Sequence, residues 1–107
     1  MSCPFCKIFE NLDESINIIS IEPLNPIVPG HKICIPRLHV TDYTDNPDIS
    51  ADVMKYAANL AKTIPSSNLI TSNGIPATQS VRHLHLHIVP RIPDDGLHLP
   101  WTGQKQK

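Results

Sequence analysis

The sequence predicts an α+β fold: a small antiparallel sheet with one main helix on a face and a short N-terminal helix or turn. Three observations predict it. The apolar runs that read as strands are joined by hairpin-length connections. Only one long stretch, from Asp48 to Ile64, carries a helical period. The chain has 107 residues, enough for one core that buries roughly two-thirds of the unfolded surface. No internal repeat and no long linker divides it, so residues 1–107 read as a single domain, with about 92–107 as an irregular tail.

In chain order, Pro4-Phe5-Cys6-Lys7-Ile8-Phe9 reads as a turn or short helix, because Phe5, Ile8 and Phe9 recur at one-turn spacing. Ile16 to Ile21 is β-branched enough for a first strand, and Pro23 ends it because proline cannot extend a ladder. Pro23, Pro26 and Pro29 stiffen the next loop and Gly30 closes it. His31 to Pro36 restarts a strand. The helix follows, with Val53, Ala57, Leu60, Ala61 and Ile64 on one stripe, Asp48 or Ser50 as cap, and Pro65 as stop. Asn68 to Ser72 is the next strand, Asn73-Gly74 a turn, and a polar loop through Thr78-Gln79-Ser80 leads into a last strand from His83 to Val89. An exposed edge on so few strands invites pairing with a second copy.

Composition excludes several classes. Net charge is −1, with acids and bases mixed, so no extended nucleic-acid binding surface and no anionic-membrane surface is expected. No apolar run approaches a membrane span and no signal peptide is evident, so a cytoplasmic protein is expected. Eleven prolines are about twice the usual share, but they are scattered, which argues for short elements and rigid turns. The three cysteines are an odd number, against a disulfide framework. The Cys3-x-x-Cys6 pair suits metal or redox chemistry, and Cys34 reads as a small buried hydrophobe.

The distinctive stretch is His83-Leu84-His85-Leu86-His87-Ile88-Val89, which holds half of the six histidines. On a strand, alternation puts the three imidazoles on one side and Leu84, Leu86 and Ile88 on the other. A core has no use for such a row. Histidine is a proton carrier, a nucleophile and a common metal ligand, so the row is a chemical site or a metal site.

This stretch resembles the signature of the histidine triad (HIT) proteins, in which three histidines alternate with hydrophobic residues. Two further segments resemble the family in the same order: Pro29-Gly30-His31-Lys32-Ile33-Cys34-Ile35-Pro36-Arg37-Leu38-His39, and Cys3-Pro4-Phe5-Cys6-Lys7-Ile8, the latter similar to the zinc-bearing N-terminus of its phosphoramidase-like branch. The resemblance implies a HIT-fold homodimer acting as a nucleotide hydrolase or nucleotidyl transferase. Its substrate would be a purine nucleotide, as a nucleoside phosphoramidate or a dinucleoside polyphosphate. His85 would be the nucleophile that takes the nucleotidyl group before water does, oriented by a hydrogen bond at its other ring nitrogen. His87, as imidazolium, and His31 would serve the phosphate side, with Gln79 and Ser80 as hydrogen-bonding groups there. Cys3, Cys6, His39 and His83 would hold a structural zinc.

The chain departs from the family pattern in places. Pro23 stands where many members carry the acid that grips the ribose, with Glu22 one residue earlier. Ser72 stands where the family has a phosphate-site Asn, with Asn73 adjacent. Ala77-Thr78 replaces a glycine-containing sequence, and part of the first hairpin is missing. Other readings stay open. The chain also reads as a catalytically weak nucleotide-binding module, or as a metalloenzyme with His83, His85 and His87 on one ion. His31 also fits a capping or core role, Cys3 and Cys6 an unmetallated pair, and His98 a solvated tail. Trp101 fits a cover for the cleft, a dimer contact or simple packing.

Overall fold

The computed structural model describes residues 3–100; Trp101 lies outside them. Two helices and four strands follow in the order α1 (Pro4–Phe9), β1 (Ile18–Ile21), β2 (Lys32–Pro36), α2 (Pro47–Ala61), β3 (Ser67–Ile70) and β4 (Leu86–Pro90), with one 3-10 turn at Ile75–Ala77. The strands form one antiparallel sheet in the order β1-β2-β4-β3. Cys34, Leu86 and Ile88 point to the face covered by α2, where they pack with Val53 and Ala57. Ile33 and Ile35 point to the other face and pack with Phe5 and Phe9 of α1. Because α1 is only six residues long, its apolar contacts on that second face are with residues of β1 and β2. His87 and its cross-strand neighbours Ile33 and Ile70 lie on this side of the sheet.

Several boundaries differ from those the sequence suggests. Helix α2 is capped by Asn46, whose side chain accepts from the Ile49 N–H, not by Asp48 or Ser50. Pro47 decides this: at the first helical position it needs no N–H partner, and it keeps the residue before it extended. Leu60 is on the rim of the stripe and exposed, whereas Val53 and Ala57 are fully buried.

The last strand starts at Leu86, three residues later than expected. Continuing the β2–β4 register would set Leu84 opposite Pro36, which has no N–H to donate. The Leu84 N–H bonds instead to the Val40 carbonyl at 2.7 Å. Side-chain alternation persists even so, with Leu84 buried in the α2 core. The tail beyond residue 91 has neither helix nor strand up to residue 100, yet it is anchored. Arg91 bonds Asp95 at 2.7 and 2.9 Å, the Asn68 side chain at 2.6 Å and the Leu97 carbonyl at 3.0 Å.

Candidate active site and metal cluster

Cys3 is both the cap of α1 and a member of a four-residue Cys/His cluster. Its sulfur accepts the Cys6 N–H at 3.3 Å, and Pro4 starts the helix, so the local sequence turns both thiols toward one point. Cys3 Sγ lies 3.3 Å and Cys6 Sγ 3.5 Å from His83 Nδ1; Cys6 Sγ lies 3.3 Å and His83 Nδ1 3.2 Å from His39 Nδ1. All four donor atoms fall within 4.8 Å of one another. A tetrahedral zinc with ordinary Zn–S and Zn–N bonds sets its ligand atoms roughly 3.3–3.8 Å apart, so the set fits a metal of this kind. His83 is fully buried, and its Nε2–H donates to the Pro36 carbonyl at 2.8 Å. That bond fixes the tautomer and leaves Nδ1 as a lone pair for a metal.

The other two triad histidines have different partners. His85 Nδ1–H donates to the His83 carbonyl at 2.7 Å, which in the neutral ring puts the lone pair on Nε2. The hydroxyl of Thr71 donates to the His85 carbonyl at 2.7 Å, holding the same residue from β3's side. His31, 3 % exposed, accepts the Ile27 N–H on Nδ1 at 3.1 Å. Its proton therefore sits on Nε2 and points to His87 Nδ1, 2.9 Å away. His87 in turn carries its proton on Nε2. The backbone thus dictates opposite tautomers: His85 offers a lone pair and, beside it at 5.1 Å between centroids, His87 offers an N–H.

Burial, with the neighbouring His85 and His31, pushes His87 down to about 4, and burial lowers His31 as well. Without ligand His87 is neutral at pH 7, where the sequence suggests an imidazolium. A phosphate beside it would favour the charged form again.

These groups open into a cleft of about 190 Å³ lined by Ile27, Ile70, Ser72, Thr78, Gln79, Ser80, His85, His87 and Val89. Ser80 is exposed there. Gln79 touches the cleft but spends its side chain inside the loop: its Oε1 accepts the Gly74 N–H at 2.8 Å, and its Nε2 donates to the carbonyls of Thr41 and Val81. Thr78 adopts a left-handed φ of 70°, a conformation that favours glycine, where the family pattern has glycine-containing sequence. Glu22 and Asn73 are exposed and not among the cleft's lining residues; Ser72 is.

A shared catalytic ion on His83, His85 and His87 does not fit this geometry. The three Nδ1 atoms go to the cysteine cluster, to a carbonyl and to His31 respectively.

A family model described as HIT domain matches residues 11–94. The chain belongs to the HIT family. It is 32 % identical over 114 residues to an adenosine 5'-monophosphoramidase of Saccharomyces cerevisiae, covering 97 % of this chain and 72 % of that one. An adenylylsulfatase of Arabidopsis thaliana is 32 % identical over 115 residues, 95 % of this chain and 57 % of that one. Among solved structures, a Zn-bound histidine triad family protein from Mycobacterium smegmatis superposes with a TM-score of 0.76 at 31 % identity, covering 92 % of this chain and 81 % of that one. The α+β fold read from the sequence is the HIT fold, and the hydrolase class read from it is that of these relatives.

Some residues of this HIT domain's site escape sequence reasoning. Val89 was accessible to it, since alternation from His87 puts Val89 on the same face. Ile70 needed the β3–β4 register, and Ile27 and Thr71 needed the loop and backbone geometry. Arg37 has a structural part the motif does not announce: it donates to the carbonyls of Phe9, Asp13 and Ile16 and lies 4.9 Å from the centroid of the Phe9 ring, tying α1 to the sheet.

Proposed function

We propose that the chain hydrolyses a purine nucleoside phosphoramidate, or a related adenylyl compound, through a nucleotidyl group carried on His85. The observation that carries this reading is the tautomer of His85, whose Nδ1–H is committed to the His83 carbonyl so that Nε2 is a free nucleophile in the cleft. Relatives named as a monophosphoramidase and an adenylylsulfatase share an adenylyl group and differ in what leaves it.

In the first step the His85 Nε2 lone pair attacks the α-phosphorus and the bond to the leaving group breaks. The leaving atom takes a proton from solvent while the His87 Nε2–H, aimed into the cleft by the His31 bond at Nδ1, donates a hydrogen bond to it. The adduct's Nδ1–H remains on the His83 carbonyl, where the positive charge of the modified ring is stabilised. In the second step water attacks the same phosphorus and releases a proton to solvent, with the His87 Nε2–H bonding the phosphate oxygens. The P–N bond breaks and the nucleoside monophosphate departs. One difficult displacement becomes two easier ones. The Ser80 hydroxyl supports the phosphate oxygens, and Ile27, Ile70 and Val89 give an apolar wall suited to a flat base.

Cys3, Cys6, His39 and His83 would hold a zinc that cross-links the N-terminus to the sheet, with no part in a chemical step. Glu22 and Asn73, proposed from the family pattern for the nucleoside and the phosphate, would have to reach the cleft on binding. A homodimer and a cytoplasmic setting belong to the same reading. The outer edge of β3 is unpaired among the described residues, with Ile70 40 % exposed, and all three cysteines are free, as in a reducing compartment. Incubation with adenosine 5'-phosphoramidate followed by intact-mass spectrometry tests the chemistry. An adenylyl adduct on the native chain and none on His85→Ala is expected. Nucleotide binding with neither adduct nor product would leave a binding module.

A further inference from the structure

Phe5 stands between the two halves of the triad. Its ring centroid is 5.7 Å from that of His83 at an interplanar angle of 87°, and 5.2 Å from that of His85 at 69°. It is 9 % exposed and sits on α1 between the two cysteines of the metal cluster. One short helix therefore carries two metal ligands and the ring that presses on His85.

An imidazole needs such a neighbour. The terminal torsion of histidine is broad and roughly two-fold, and half a turn exchanges a ring nitrogen for a carbon. Three contacts hold the His85 plane: the bond to the His83 carbonyl, the His87 ring at 5.1 Å and 71°, and the Phe5 ring. The first belongs to the residue that joins the cluster through Nδ1, and the third belongs to α1. Two of the three contacts that aim the nucleophile thus depend on the segment the metal would pin. Helix α1 is too short to hold itself; its fixed points are the cluster, the Arg37 bond to the Phe9 carbonyl and the apolar contacts of Phe5 and Phe9.

We propose that Phe5 is a positioning residue for His85, and that through it occupancy of the Cys3–Cys6–His39–His83 cluster sets the rate of nucleotidyl transfer. The inference rests on His85 being the nucleophile. No bond is made or broken at Phe5; it removes a rotation that would turn Nε2 away from phosphorus.

The test uses the zinc-loaded full chain with Phe5→Leu, Phe5→Met as a second variant should the first not fold, and Phe9→Leu as control. Phe9 is 2 % exposed in the same apolar cluster, so it reports the loss of aromatic packing without a histidine contact. Expected for the Phe5 variants are unchanged zinc content, a KM within about two-fold and a kcat lower by about 10-fold, the scale of one lost aromatic contact. Phe9→Leu should keep its kcat. Long-range 1H–15N spectra of the His85 ring supply a readout independent of turnover. A single Nδ1–H tautomer is expected in the native zinc-loaded chain, and a mixture in both the Phe5 variants and the zinc-stripped native chain. Equal kcat in the Phe5 and Phe9 variants, or ring spectra of His85 indifferent to Phe5 and to zinc, would overturn the proposal. Absence of an adduct on the native chain overturns the nucleophile assignment instead, and the ring spectra still decide whether Phe5 orients His85.

Discussion

Replacing His87 by leucine should flatten the dependence of stability on pH. Folding lowers the His87 pKa from its ordinary value of 6.5 to about 4, so between these values the unfolded chain binds the proton and the folded chain does not. Stability from this group is then present above about 6.5, falls as the pH drops toward 4, and is fully lost below that. The whole effect is about 3 kcal/mol, and the part lost between pH 7 and pH 5 is about 2 kcal/mol. At pH 7 the variant should be weaker than the native chain by about 1 kcal/mol, because His31 Nε2–H loses its acceptor. At pH 5 the order should close or reverse. Urea unfolding at both pH values, with zinc saturating, measures this as a difference of differences; His87 is not in the metal cluster, so the metal contribution is common to both proteins. Parallel pH slopes for the two chains would refute the buried neutral pair His31–His87.

Three further outcomes are expected. Cys3→Ser with Cys6→Ser should abolish tight zinc retention, measured by metal analysis after dialysis, whereas His85→Ala should keep it; the reverse pattern would show the cluster assigned to the wrong histidine. Arg37→Ala should destabilise the fold by about 2–4 kcal/mol, since three charge-assisted bonds to carbonyls and a ring contact vanish together, with Arg37→Lys recovering only part of this in urea titration. Gln79→Ala should cost about 2–3 kcal/mol, leaving the Gly74 N–H and two carbonyls without their partner. It should also raise KM, because the same bonds shape the cleft loop; a change in KM without loss of stability would mean that Gln79 contacts the nucleotide itself.

Much of this arrangement was readable from residue spacing. The apolar Leu84, Leu86 and Ile88 did separate from the imidazoles, because a strand-like alternation fixes where side chains point over a few residues; the grouping of Cys3 and Cys6 with His83 comes from the resemblance to the family, since no local spacing joins residues some 80 positions apart. What spacing does not carry is pairing. The short reach of α1, which leaves Ile70 exposed, depends on which half of the sheet it covers. The His31–His87 bond joins residues 56 apart, and its direction depends on the Ile27 N–H, a backbone group with no signature. Pro23 reads as the stop of the first strand, which ends just before it at Ile21, yet the consequence of Pro36 for β4 required the register of two strands.

That consequence bears on the chemistry. Had the ladder continued to His83 as the alternating pattern suggests, backbone groups of residues 83–85 would be drawn into pairing with a neighbouring strand. Pro36 cannot donate there, and the segment is released. The His83 carbonyl becomes free to orient His85, the His85 carbonyl takes the Thr71 hydroxyl, and the Pro36 carbonyl fixes the tautomer of His83. The three histidines keep the common face that alternation gives them, while the loss of the ladder lets each ring be set by a different partner. A proline that ends a strand is thus what allows one seven-residue run to present an Nδ1 lone pair toward the cysteines at one end, a ring oriented by a backbone carbonyl in the middle and an N–H donor beyond it.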